Sequence, residues 1–573
     1  MTDTFEKIYD LIRSYSRIAK VTEDEARRFW SKIEKYDKYT DLADNVGNTL
    51  DLLEYDRKKA SKNTTMDVEY PGERFMIDLE HRMLKDCLKK INIFGGELVK
   101  ATNGTSGIQD QASNHMIQKT QNAKFLVASH QESHSRGQIL KSANEFLNFK
   151  FNSHRPSIFN VAPIKSDFKI GNFLYVKPEH FQSSFRDRFN DMEAKISAYL
   201  SRTGLSYKPL DESTRAFDKP TIIIGRLSID DDDYSFLAER ISLEYITTNG
   251  SVKQCFLNFT SCASEYHLFP NAFVAVEVQG DFYDSSTSLT VKNIYEIDAD
   301  LDAQDNVDRQ PRDVDKFANV MVFKGPYVHN GNAYFSGFDM ILNHLRDDRS
   351  VNCVVLIGPF IPVEQITEGE TEIMKLSSFA NTRKENLNHF IDQARKINND
   401  LSVVIVPDAS EADCMYPTPL PKLSVEIKGG EVYQVSSPCL LNFQVQGASY
   451  KVAIGTQDLV KNCLRMPSKS ADPKKYVQLL KSIISQRCLQ PVFPYAEPFD
   501  VTQINQLSFS DEQRPDVFIT CSAMTHFAAR IRGTIVCNPR TIFEGESFST
   551  FIRLGLDASQ TGVDGVRADI LRF

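Results

Sequence analysis

At 573 residues, with 41% hydrophobic and 25% charged side chains, the chain has room for several domains and enough apolar material to bury their cores. A formal net charge of −9 and a pI near 5.8 argue against a protein that grips nucleic acid through a strong basic field. The ten cysteines include no C-x-x-C pair, which speaks against zinc knuckles, and the N-terminal MTDTFEKIYD has no apolar signal core. Several cysteines, Cys353 and Cys537 among them, sit in apolar runs where a thiol is a small hydrophobe, so reduced structural cysteines in an intracellular protein with no membrane span are expected.

Residues 1–60 read as a compact helical unit. Phe5, Ile8, Leu11 and Ile12 recur at helical spacing. Thr22 followed by Glu25 is a capping box, after which Ala26, Phe29, Trp30 and Ile33 line one face, and a third helix carries Leu42 through Leu53. A small helical unit ahead of a larger body suits docking. Residues 61–155 turn to Asn, Ser, Gln and Gly, and ATNGTSGIQDQASNHMIQKTQ reads as flexible linker, interrupted by a helix near Arg74–Ile91. The run HQESHSRGQIL places two His and two Ser close together, but solvated linker is the better reading than a metal or phosphorylation site.

From 156 to 305 a polar helix near Phe181–Tyr199 leads into short alternating strands. These are Thr221–Leu227, Ile241–Ile246, Lys253–Phe259, Phe273–Gln279 and Ser288–Ile297, with a turn signal at Asn249-Gly250. Five such strands fit an OB-type barrel. Such barrels often bind single strands through basic grooves and aromatic platforms. Here Asp230-Asp231-Asp232-Asp233 in the first loop repels phosphate and favours a protein partner.

From 310 to 573 the pattern is α/β. The runs Val320–Phe323 and Val354–Ile357 stop at Gly325-Pro326-Tyr327 and Gly358-Pro359-Phe360, with an amphipathic helix around Phe338–His344 between them. That is a βαβ unit with parallel neighbouring strands. Further strands are expected at Leu401–Val406, Cys439–Val445, Lys451–Ile454, Val517–Thr520 and Thr534–Cys537, with helices at Asn386–Asn398 and Lys475–Ser485. Chemistry in open α/β sheets sits just past the carboxyl ends of the strands. No G-x-x-x-x-G-K-[ST], G-x-S-x-G or H-E-x-x-H occurs.

This layout resembles the calcineurin-like metallophosphoesterases, whose two-metal chemistry needs carboxylates, imidazoles and an Asn at the strand ends. The family pattern runs D-x-H, G-D-x-x-D, G-N-H-[DE], a lone His and G-H-x-H. The first slot here reads Gly325-Pro326-Tyr327, and the second reads Gly358-Pro359-Phe360-Ile361-Pro362, with proline at both carboxylate positions. The third reads Pro407-Asp408-Ala409-Ser410-Glu411 and the last Cys521-Ser522-Ala523-Met524. The degenerate positions are therefore Gly325, Pro326, Tyr327, Gly358, Pro359, Pro362, Asp408, Cys521, Ser522 and Met524. Asp408, Glu411, Asp413, Asp458 and His526 remain near the strand ends, too few to hold a metal pair. No catalytic residue, metal ligand or cofactor is expected.

An inactivated phosphoesterase region behind an OB region resembles the B subunits of the replicative DNA polymerases α, δ and ε, most closely the polymerase α–primase branch. The resemblance rests on Gly325-Pro326-Tyr327, Ile357-Gly358-Pro359-Phe360, Tyr416-Pro417-Thr418-Pro419, and Gln486-Arg487 before Pro491-Val492-Phe493-Pro494. Arg514-Pro515-Asp516-Val517, Val536-Cys537-Asn538-Pro539-Arg540 and, in the linker, Ser135-Arg136-Gly137 complete it. Asp408–Met415 departs from the branch in being shorter and more acidic.

The resemblance implies a multi-domain α+β chain: a helical docking domain (1–60), a flexible linker (61–155), an OB-type domain with a leading helix (156–305) and an inactive calcineurin-like α/β sandwich (310–573). It implies a nuclear, non-catalytic accessory subunit in DNA replication. Its partners would be the zinc-bearing C-terminal module of the catalytic subunit, the primase subunits and, through the N-terminal domain, other replisome proteins. DNA would be met mainly through the complex, and membranes not at all. The alternatives are the ε branch, a divergent metal-dependent phosphodiesterase using Asp408, Asp458 and His526, and an OB-type single-strand binder.

Overall fold

The computed structural model describes residues 137–573 apart from 150–157, 169–176, 229–237, 239, 282–287, 299–309, 315, 329–334, 364–375, 413–416, 424, 428–430, 465, 472–473, 493–497 and 545–546. The chain divides into two compact units, Met1–Gln121 and Asn122–Phe573, and every described residue belongs to the second. The helical unit expected at 1–60, most of the 61–155 linker, the acidic run Asp230–Asp233, Asp413 and Tyr416 lie outside the described residues.

Strand β1 (Ile139–Ala143) and strand β2 (Phe159–Lys165) come first. Helix α1 (Pro178–Arg202) starts on a proline, whose lack of an N–H costs nothing in a first turn, and ends on a basic residue that suits the carboxyl end of the helix dipole. Five strands follow: β3 (Ala216–Ser228), β4 (Ile241–Ile246), β5 (Val252–Asn258), β6 (Phe273–Asp281) and β7 (Leu289–Tyr295). They close into a barrel in the order β3-β4-β5-β7-β6, with β5 and β7 parallel and the other pairs antiparallel. The alternation along each strand fills the barrel, as with Leu243 and Tyr245, Cys255 and Leu257, and Val274, Val276 and Val278.

Then come β8 (Phe317–Lys324), α2 (Ser336–Asp347), β9 (Val351–Ile357), α3 (Leu376–Ile397), β10 (Ser402–Val406) and β11 (Val432–Gln434). The expected βαβ unit is present, and α3 makes a second one; β8 to β11 are all parallel. Next are β12 (Cys439–Val445), β13 (Ala448–Gly455), α4 (Leu459–Cys463), α5 (Lys475–Ser485), β14 (Val517–Thr520), β15 (Phe527–Ile531) and β16 (Thr534–Asn538). Strands β17 (Thr550–Asp557) and β18 (Val566–Arg572) are the last.

Two sheets result, one of seven strands ordered β1-β18-β17-β8-β9-β10-β11 and one of six ordered β15-β16-β14-β13-β12-β2. Both are covered on both faces, which is why their central strands are continuous apolar runs. Val320, Val322, Val355 and Val404 face the second sheet's Phe443, Val452, Ile519 and Ile535. The intervening Met321, Phe323, Val354 and Ile405 pack against Phe338 and Ile341 of α2 and Leu387 and Phe390 of α3. The other face of the six-stranded sheet, through Leu440, Ala453, Phe518 and Val536, shares one apolar cluster with α1, α5 and the barrel interior.

The borders drawn from sequence at 155 and 310 cut across this architecture. Strand β1 falls in the expected linker yet pairs with β18, and Leu147–Phe149 pairs with Arg312–Val314. Strand β2 falls in the expected barrel region yet pairs with β12 of the α/β body. Both β1 and β2 are edge strands whose half-polar sequences, ILKSA and FNVAPIK, carry little apolar signal, and Pro163 is tolerated because an edge need not donate on both sides. The barrel is fastened to the body by side chains at the Gln486-Arg487 motif. Gln486 accepts from Phe273 N at 2.7 Å and donates to Phe273 O at 3.2 Å. The buried Arg188 donates to Gln486 O, Arg487 pairs with Asp298 at 2.8 Å, and Arg532 pairs with Glu296 at 2.8 Å. The eight described cysteines are free and buried. Among the described residues no helix is long and apolar enough to cross a membrane.

Candidate functional site

The parallel strands of both sheets end at the same side of the molecule, and their carboxyl ends enclose a cleft of about 830 Å3. That is the size of a small-ligand site, at the place where open α/β sheets put their chemistry. Gly325 and Pro326 reach it from β8, Pro359 and Pro362 from β9, Asp408 and Ser410 from β10, Asp458 and Lys461 after β13, Cys521 and Ser522 from β14, and Arg540 after β16.

The glycines are required by close approach. A Cβ on Gly325 would lie 2.0 Å from the carbonyl oxygen of Pro359, and one on Gly358 would lie 2.5 Å from Oε1 of Glu411. Tyr327 turns away from the cleft. It is buried, its hydroxyl lies 3.0 Å from the carbonyl oxygens of Phe323 and Ile357, and its ring stacks on Phe360 at 5.2 Å.

The floor of the cleft holds a charge pair. Lys324, the last residue of β8 and only 8% exposed, donates from Nζ to the Gly358 carbonyl at 2.6 Å and to the Asp408 carboxylate. Burial disfavours its charge, but Asp408 outweighs that, and Lys324 stays protonated to a higher pH than an ordinary lysine. Burial likewise opposes the Asp408 carboxylate. The ammonium, with the Ser410 backbone N–H at 2.9 Å and hydroxyl at 2.5 Å, outweighs it and holds the group below the usual carboxylate range.

Behind this pair, Glu411 accepts from the backbone N–H groups of Phe360 at 2.7 Å and Ile361 at 3.2 Å, with Arg383 at 3.6 Å. Burial pushes its carboxyl up to about 7 against the pull of those partners. Glu411 thus pins the Gly358–Pro362 turn to the β10 end.

The donor set does not fit the two-metal centre that the phosphoesterase resemblance implies. Proline stands at the carboxylate slots, Asp408 is spent on Lys324, and burial pushes the Cys521 thiol up to about 12, so it keeps its proton. Asp458 caps α4, accepting from Lys461 N at 2.9 Å and Ala523 N at 2.7 Å. Among the described residues no three His, Cys, Asp or Glu side chains gather as a metal site would need. Of the degenerate positions, Gly325, Pro326, Pro359, Pro362, Asp408, Cys521 and Ser522 line the cleft, Gly358 lies directly behind it, and Tyr327 and Met524 do not line it. His526 is not among the lining residues either. Sequence reasoning passed over Lys324. Its signal was a charged residue closing an otherwise apolar buried strand immediately before Gly-Pro.

Residues 320–529 match the family of B subunits of DNA polymerases alpha and epsilon. That stretch makes this part of the chain similar to the B subunits of the replicative DNA polymerases. The matched stretch runs from β8 to β15, so it covers the strand ends that build most of the cleft. The chain is similar to the B subunit of DNA polymerase alpha from Rattus norvegicus, 25% identical over 68% of this chain and 64% of that one. It is similar as well to the Mus musculus protein of that name, at 26% identity over 61% of this chain and 56% of the other. The chain thus spans less than two thirds of the length of these curated relatives. A solved structure of Vacuolar Protein Sorting 29 from Cryptosporidium parvum matches 45% of this chain and 98% of its own at 11% identity with a TM-score of 0.20, too slight to bear on the fold.

Proposed function

We propose that the chain is a non-catalytic accessory subunit of a DNA polymerase α–primase complex. The carrying observation is the strand-end cleft, whose floor is a self-compensated Lys324–Asp408 ion pair where an active phosphoesterase needs carboxylates free to take metal. A subunit that binds without turning over substrate keeps the scaffold and can lose the ligands. The names of the similar rat and mouse proteins support the α branch.

In this reading the barrel is of OB type, and the two-sheet body is an inactive calcineurin-like sandwich. Together they hold the zinc-bearing C-terminal module of the catalytic subunit and link it to primase for initiation and lagging-strand priming in the nucleus. Residues 1–60 form a docking unit for other replisome proteins, tethered through the following linker so that its effective concentration at the complex is high. DNA is contacted mainly through the assembly.

Affinity capture of the full chain from nuclear extract at moderate salt, followed by mass spectrometry, tests this. Stoichiometric recovery of a polymerase α catalytic subunit with both primase subunits is expected. An ε catalytic subunit in their place would move the chain to that branch. A chain that emerges alone, binds stoichiometric metal and cleaves phosphodiesters would overturn the reading.

A further inference from the structure

We propose that the Lys324 ammonium is the resident cation of the cleft, tying together the strand ends that bound metal would otherwise bridge. This stands on the chain's own geometry and is independent of which polymerase the protein serves. Lys324 leaves the end of β8, reaches the β9 end through the Gly358 carbonyl at 2.6 Å, and reaches the β10 end through the Asp408 carboxylate. Three neighbouring parallel strands are therefore joined at their carboxyl ends by one positive charge. The match is complete in charge, one ammonium to one carboxylate, and nearly complete in hydrogen bonds, since Asp408 spends its second oxygen on Ser410.

The two turns around the ammonium are built to this spacing. Gly325 lets the Pro359 carbonyl come against it, and Gly358 leaves room for Glu411 and Asp408. Removing the ammonium leaves Asp408 buried beside the Gly358 carbonyl, with its charge uncompensated. A buried carboxylate in that position must take up a proton or recruit a cation from solution. An ordinary structural ion pair would predict only the loss of stability; a cation site held by a side chain predicts that a small metal ion can take the vacated place.

The test is thermal unfolding of the full chain at neutral pH with and without manganese chloride, for the wild type, Lys324→Ala, Asp408→Asn and the double variant. Lys324→Ala should lower the melting temperature by about 3–8 °C. Manganese should restore at least half of that loss while leaving the wild type unmoved. The double variant should melt above Lys324→Ala and ignore manganese. Should Lys324→Ala not fold, Lys324→Met keeps the packing of the stem and carries the same comparison. The proposal is overturned if the charge-deleted variant melts with the wild type, or if manganese moves both or neither.

Discussion

Glu411 contributes a pH dependence of stability that Glu411→Gln should remove. Burial moves its carboxyl from 4.5 to about 7, so between those values the folded chain holds a proton that the unfolded chain has released. The stability this contributes is complete below the unfolded value and is lost as pH rises through the folded one. At about 1.4 kcal/mol per pH unit, the loss across the window is about 3 kcal/mol.

The neighbouring pair titrates elsewhere. Asp408 lies below its ordinary 3.8 and Lys324 above its ordinary 10.5, so their contributions disappear only at the acid and alkaline extremes. His267 is lowered from 6.5 chiefly by burial and slopes the opposite way in the same window, which is why the variant and not the wild-type curve alone is informative. Glutamine keeps one carbonyl oxygen to accept from Phe360 or Ile361 and carries no charge at any pH. Urea unfolding of both proteins from pH 5 to 8 should show the variant gaining on the wild type by about 2–3 kcal/mol as pH rises. Parallel curves would refute the argument, because they would mean that the Glu411 proton is the same in both states.

Two further substitutions test the packing that positions the cleft. Gly325→Ala sets a methyl group 2.0 Å from a backbone oxygen that cannot swing aside, and should cost about 2–4 kcal/mol, read as a fall in melting temperature. An unchanged melting temperature would show that the two Gly-Pro turns are not held against each other. Gln486→Ala removes the side chain that bonds both the backbone N–H and the carbonyl of Phe273 in a buried place, which should cost about 2–3 kcal/mol and speed limited proteolysis between barrel and body. Equal proteolysis rates would mean that the apolar cluster alone carries the junction.

The central strands were legible because they are buried on both faces. Strands Cys439–Val445 and Val517–Thr520 have the bounds expected from their apolar patterns, as do Ile241–Ile246 within the barrel and the helix Lys475–Ser485. The edges were not. Strand β2, with Pro163 and a half-polar pattern, has no local reason to join a sheet whose nearest member lies beyond residue 438; only the partner strand gives it one. Strands β17 and β18 escaped notice although Thr550–Asp557 is buried almost throughout, because Gly555 and Arg553 interrupt its apolar run. In the cleft, the Gly-Pro turns and Asp408 could be placed from sequence. The Lys324–Asp408 pair could not, since it joins residues 84 apart through the register of two parallel strand pairs.

The pairing of β1 with β18 bears on how the nascent protein is made. Their contact at Ser142 and Asp569 joins residues 427 apart in the chain. At about 5–20 residues per second, a ribosome needs roughly 20–90 seconds to supply the partner strand. Through that interval the segment that will complete the seven-stranded sheet has nothing to pair with, and β2 waits in the same way for β12. Translation therefore sets the pace of assembly: the sheet is finished only as its last strands emerge, and until then its early strands need shelter from other chains.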